Sequence, residues 1–168
     1  GNSLDESEAG AIQNPPRSEC CQPAPPVVCF DPQGNVIHAW GGIGTIDNWM
    51  QNEHGIFVDG QDNVWVGSNG REDHVVLKCT VDGKLLLTLG ELGKTNGSND
   101  TRLLGQPADI TVDDDANEVY IADGYGNRRV VVFDATTGAY KRHWGAFGNQ
   151  PDDGWFTRQG EKLPGPLV

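Results

Sequence analysis

One stretch, QPADITVDDDANEVYIADGYGNRRVVVFDATTGAYKRHWG from Gln106 to Gly145, constrains the fold most, because its pattern occurs more than once. Within it Ile110–Val112, Val119–Ala122, Val130–Phe133 and Tyr140–Trp144 are short runs rich in β-branched or aromatic residues, separated by turn residues. Placing His54–Asp59 beneath Ala108–Asp113 gives an offset of 54 residues, and Val64-Trp65-Val66 then falls near Val119-Tyr120-Ile121. Gly34 and Gly41, Gly83 and Gly90, and Gly138 and Gly145 are each seven apart, in the texts VVCFDPQGNVIHAWG, VLKCTVDGKLLLTLG and VVFDATTGAYKRHWG. The chain therefore holds a half-repeat at 27–42 and two repeats, at 54–93 and 106–148. Four strands in ~40 residues is the size of one β-propeller blade.

Composition agrees with an all-β fold. Among 168 residues, 23 glycines and ten prolines punctuate the text, and no window sustains an apolar i, i+3, i+4 pattern. A net charge of −12 with a pI near 4.5 opposes a nucleic-acid backbone or an anionic membrane surface as partner. Apolar runs are too short for a membrane-spanning helix, and the opening GNSLDESEAG lacks the basic start and apolar stretch of a signal peptide. Cys20, Cys21, Cys29 and Cys79 permit two disulfides in one of three pairings. Adjacent Cys20 and Cys21 do not suit each other, Cys29 and Cys79 occupy comparable strands of successive repeats, and a disulfide would place the chain outside the cytoplasm.

Residues 1–26, with Asn14-Pro15-Pro16 and Pro23-Ala24-Pro25-Pro26, are expected to form an irregular polar arm, and residues 149–168 an irregular tail. Lys94 to Gly105 is expected to be a turn-rich surface insertion with glycosylation-type sequences at Asn96 and Asn99. Propellers close with about four to eight blades, so two and a half repeats leave strand edges bare. The expectation is a piece of a longer chain, or copies combining to complete a ring, or an open stack capped by the two tails.

At Asp123-Gly124-Tyr125-Gly126-Asn127-Arg128-Arg129-Val130 the chain resembles the NHL repeat, whose blades carry Asp, Asn, Arg and a β-branched residue in this order. More narrowly, EHGIFVDGQDNVWV, GQPADITVD, EVYIADGYGNRRVVVFD and the closing Trp144-Gly145 resemble the propeller of peptidyl-α-hydroxyglycine α-amidating lyase and its bacterial relatives, over roughly residues 27–148. The resemblance implies two to three blades of a six-bladed propeller. It further implies a zinc-dependent lyase that cleaves a C-terminal α-hydroxyglycine to a peptide amide and glyoxylate. His54 maps onto one of three zinc-ligating histidines, Ile56 onto a residue whose carbonyl ligates a structural calcium, and Tyr125 onto the catalytic base. Zinc would lower the pKa of the substrate hydroxyl, and a tyrosinate nearby would take its proton. Where the family joins two cysteines beside this tyrosine, Gly105 and Gly126 stand here, so that staple is absent as a pair. The family's substrate-binding arginine falls before residue 27, where Arg17 is a poor match, and the other two zinc histidines fall beyond Val168.

The residues also admit plainer readings. Asp123, Asn127 and Arg129 suit a structural turn in which Asp or Asn bonds the backbone and Arg bridges to it. Asp109 sits beside the channel, within reach of Arg129 or a metal. Asp113-Asp114-Asp115 suits a solvated turn better than a calcium loop. His38, His74 and His143 are expected at the surface. The alternative function is a non-catalytic propeller that binds a peptide or protein partner, or assembles with its own copies through its open edges.

Overall fold

A computed structural model of the chain describes residues 24–156. Its ten strands are β1 (Val27–Phe30), β2 (Val36–Trp40), β3 (Glu53–Val58), β4 (Val64–Ser68), β5 (Val75–Cys79), β6 (Leu85–Gly90), β7 (Asp109–Asp113), β8 (Glu118–Asp123), β9 (Arg129–Asp134) and β10 (Tyr140–Trp144). There is no α-helix among the described residues, and all pairing is antiparallel. The fold is all-β, in propeller blades: two four-stranded sheets in the orders β3-β4-β5-β6 and β7-β8-β9-β10, and a two-stranded sheet β1-β2. Because β1-β2 shares the strand-turn-strand pattern and glycine interval of β5-β6 and β9-β10, it corresponds to the outer half of a blade.

The seven-residue glycine interval has a direct cause. Gly34, Gly83 and Gly138 each adopt a left-handed backbone, at φ +88, +92 and +73, and each donates its N–H back across the turn, to Asp31, Thr80 and Asp134 respectively. A side chain is strained there, so the turn before every outer strand repeats the same residue.

The blades meet along β3 and β7, which are therefore the inner strands. Every residue of β4 and β5 is buried because the middle sheet is covered on both faces. On one side Trp65, Val76 and Leu89 pack with Ile110, Val119, Ile121, Val131 and Phe133 of the next blade. On the other, Val64, Val66, Val75, Leu77 and Cys79 pack with Val27, Trp49 and Met50. Alternation along β4 and β5 thus feeds two cores at once.

Two polar ties cross the first of these interfaces. Lys78 is buried, with its Nζ 3.5 Å from Asp59 Oδ2, 3.1 Å from the Ala135 carbonyl of the next blade and 5.0 Å above the Trp65 ring. Burial raises the Asp59 pKa, but hydrogen bonds from Trp65, Asn63 and Gln61 outweigh it and hold the carboxyl below its usual value. Gly60 N–H donates to Asp114 Oδ2 at 2.9 Å, so one carboxylate of the Asp113–Asp115 turn also ties two blades.

Several expectations take a different form in the structure. Cys29 and Cys79 are free thiols and are not joined: Cys79 lies in the core facing the half-blade, where burial pushes its pKa up to about 11. Cys20, Cys21 and Arg17 lie outside the described residues, as do most of the arm and the tail. His74 is not at the surface but buried, at 6% exposure, because it closes the top of the middle blade against the next one. The 94–105 insertion is surface only in part, since Ser98 and Leu104 are wholly buried.

Candidate functional site

The ends of the blades that carry the β4–β5, β6–β7 and β8–β9 connections bring His54 and Tyr125 together. His54 is the second residue of β3, at a point where pairing with β4 shifts register between Glu53 and Ile56. Such bulges re-aim side chains. Its neighbour Gly55 lies so close to the next blade that a Cβ would sit 3.1 Å from the Ala108 carbonyl and 3.2 Å from Asp109 Cα. This approach lets His54 Nδ1 reach the Ala108 carbonyl at 2.7 Å. A carbonyl only accepts, so in the neutral ring Nδ1 carries the hydrogen and Nε2 presents its lone pair.

Tyr125 supplies the partner of that lone pair. Its hydroxyl donates to His54 Nε2 at 3.1 Å, and the two rings meet edge to face with centroids 5.3 Å apart at 76°. The tyrosine is 59% exposed, so the pair opens to solvent. Its loop is laid onto the preceding segment by backbone bonds: Tyr125 N–H to Gln106 carbonyl at 3.3 Å, Gly126 N–H to Gly105 carbonyl at 2.7 Å and Asn127 N–H to the same carbonyl at 3.1 Å. A Cβ on Gly126 would lie 2.6 Å from the Gly105 oxygen, and one on Gly105 would run into the Asn127 side chain. Glycine is required at both positions for this contact.

Beneath the loop lies a buried ion pair. Arg129 Nε and Asp123 Oδ2 are 2.9 Å apart with both side chains fully buried. Asp123 also accepts Gly105 N–H at 2.7 Å and Asn127 Nδ2 at 2.7 Å. Arg129 reaches out to the insertion, donating to the carbonyls of Ser98 (2.9 Å), Leu103 (2.6 Å) and Asp100. These three residues hold the loops in place. Asp109 is exposed and accepts the neighbouring Ile110 N–H at 2.9 Å rather than meeting Arg129.

Gln106, to which the sequence assigned no role, and His74, which it put at the surface, also belong to this end of the blades. His74 precedes Val75-Val76 as Arg129 precedes Val130-Val131, and that alignment was the available signal for its burial. Beside them opens a cavity of about 790 Å³ lined by Arg71, Glu72, His74, Gln106, Arg128 and Asp153 among others.

Among the described residues no group of three or more His, Cys, Asp and Glu side chains is placed to hold a metal ion. His54 fits a single coordination position: its lone pair faces outward and a backbone carbonyl fixes the ring, the arrangement metal-binding histidines use. That lone pair serves one partner at a time, so a metal there would displace the Tyr125 hydroxyl hydrogen. Ile56 belongs to the same inner strand, with its side chain 57% exposed.

The chain is similar over part of its length to known proteins. The NHL repeat matches residues 104–133, which run from the segment before β7 through β9 and contain Tyr125. The chain is 31% identical over 110 residues to the peptidylglycine alpha-amidating monooxygenase of Rattus norvegicus and 32% over 108 residues to that of Mus musculus, covering 62% of this chain in each case. It is 32% identical over 103 residues, 60% of this chain, to peptidyl-alpha-hydroxyglycine alpha-amidating lyase 1 of Drosophila melanogaster. The matches span 11%, 10% and 17% of those three proteins, so the chain corresponds to a small part of each.

Proposed function

We propose that this NHL-repeat chain contributes to a lyase site that cleaves peptidyl-α-hydroxyglycine to a peptide amide and glyoxylate, with Tyr125 as general base and His54 as one zinc ligand. The observation that carries the reading is the placement of Tyr125 beside His54, ring against ring, with Nδ1 fixed on the Ala108 carbonyl so that Nε2 faces the opening. It supports the reading because a base and an oriented imidazole, from different blades, share one open face. Similarity to proteins named as amidating lyases and monooxygenases supports the substrate class.

In this reading Tyr125 Oη, as phenolate, takes the proton of the α-hydroxyl group. The hydroxyl oxygen becomes the aldehyde oxygen of glyoxylate as the bond between the α-carbon and the amide nitrogen breaks. That nitrogen leaves with the bonding pair and takes up a proton, so no oxidant is needed. Zinc, when bound, would acidify the hydroxyl and help to set its position. The Ala108 carbonyl keeps His54 in the tautomer that leaves Nε2 available. A structural calcium on the Ile56 carbonyl and an extracytoplasmic setting belong to the same proposal.

The test is glyoxylate release from an α-hydroxyglycine peptide by the full-length protein, together with its zinc content. Tyr125→Phe is expected to lower turnover by about 10²–10⁴-fold, the usual contribution of a positioned base. Absence of zinc, or unaltered release by His54→Ala, overturns the reading.

A second reading draws on the half-blade. Strand β1 pairs only with β2 among the described residues, while Ile56 and Val58 on β3 are 57% and 55% exposed. An edge of this kind accepts a strand from a peptide, a protein or another copy.

A further inference from the structure

Both members of the His54–Tyr125 pair hang from one short segment, residues 105–108. Tyr125 donates its N–H to the Gln106 carbonyl, and His54 donates Nδ1–H to the Ala108 carbonyl. Whatever fixes this segment fixes the distance between the phenol and the imidazole. Gln106 is its most constrained residue, with a left-handed backbone at φ +59. Non-glycine residues rarely adopt that conformation, and a residue before proline is steered toward extended ones.

Four bonds hold Gln106 there. Its N–H donates to buried His74 Nδ1 at 3.2 Å, and its carbonyl accepts from Tyr125. Its side-chain Nε2 donates to the carbonyls of Asn69 at 2.9 Å and Gly70 at 3.1 Å. The last two lie in the β4–β5 connection of the preceding blade. That blade also carries His54, so the amide ties together the two blades that supply the pair.

We propose that Gln106 is a positioning residue: its amide, bonded across the blade interface, sets the segment from which Tyr125 and His54 meet. It touches neither substrate nor reacting atoms. The catalytic consequence rests on the lyase reading, whereas the geometric one does not.

Two substitutions test it in the full-length protein. Gln106→Gly suits the backbone conformation and keeps the main-chain bonds, but loses the tie. Gln106→Glu keeps the size, but sets an anion against two carbonyl oxygens in place of the amide donor. Both variants are expected to lower kcat by about 10- to 100-fold, the scale of loss that misplacing a reacting group by about 1 Å can cause, with KM changed by less than about threefold. In the metal-free protein, where Nε2 is open to the phenol, imidazole ¹⁵N spectra of both variants should move the His54 Nε2 signal toward that of Tyr125→Phe, which has no hydroxyl to donate. Wild-type kcat and a wild-type His54 spectrum in both variants overturn the proposal. So does a loss of turnover that only tracks the unfolded fraction while the folded spectrum is unchanged. If the unaltered protein releases no glyoxylate, the lyase reading falls and the His54 spectrum alone decides the role of Gln106.

Discussion

At the scale of single residues, the lone pair of His54 Nε2 is the scarce resource. It accepts from Tyr125 now and would be the donor to a metal in the proposed enzyme. Zinc added to the metal-free protein should therefore release the Tyr125 hydroxyl, seen as a change in the His54 imidazole ¹⁵N signals that His54→Ala abolishes. Tyr125→Phe should bind zinc at least as well as wild type, because it has no competing donor. Weaker binding would mean that the phenol is itself a ligand. Deeper in, Arg129 and Asp123 are a buried pair in which every side-chain nitrogen and oxygen has a hydrogen-bond partner. Removing one partner leaves an uncompensated charge, so Arg129→Ala should cost about 3–5 kcal/mol in urea unfolding.

At the scale of elements, the insertion between β6 and β7 is built around Asp100. Its carboxylate accepts Leu103 N–H at 2.7 Å, Arg102 N–H at 2.8 Å and Asn96 Nδ2 at 2.9 Å. The bond from Leu103 is foremost among the causes that hold its pKa down at about 2. An unfolded aspartate titrates near 3.9, so the folded state gains stability from this group above that value and loses it as pH falls toward about 2. Asp100→Asn should make the urea midpoint less dependent on pH across that window, and an unchanged slope would refute the assignment. The loop bearing Tyr125 is held by backbone bonds between paired glycines where the resembling family has a disulfide. Reducing agents should leave its geometry unaltered, whereas Gly126→Ala should push it off Gly105 and cost about 1–3 kcal/mol.

At the scale of the molecule, the blade architecture was legible because a repeat announces itself. The offset between His54 and Ala108 and the seven-residue glycine intervals reflect strand and turn chemistry that is local. What text could not show was contact between blades. Neither Gln106 nor His74 carries a local signal of its bond partners, which lie in connections separated by more than thirty residues. The same limit applied to Cys29 and Cys79: comparable strands in the repeat do not place two thiols within bonding distance. A family resemblance singled out Tyr125 and His54 one by one, whereas the bond between them is visible only in the structure. The open edge gives a prediction at this scale. Val58→Glu, on an exposed inner-strand position, should leave the isolated chain's stability within about 0.5 kcal/mol. It should abolish any self-association seen by sedimentation, and persistent association would place the contact elsewhere.

The order of strands in each full blade follows the order of synthesis: β3 to β6, then β7 to β10, every strand pairing with the one made just before it. Contacts of this kind close short loops and form fast. As the chain leaves the ribosome, the sheet spanning residues 53–90 can assemble without waiting for anything downstream, and the next blade then grows against a finished wall. Trp65 and Val76 form much of that wall, already in position when Ile110 and Val119 arrive. The half-blade β1-β2 follows the same rule, its two strands being consecutive in the chain.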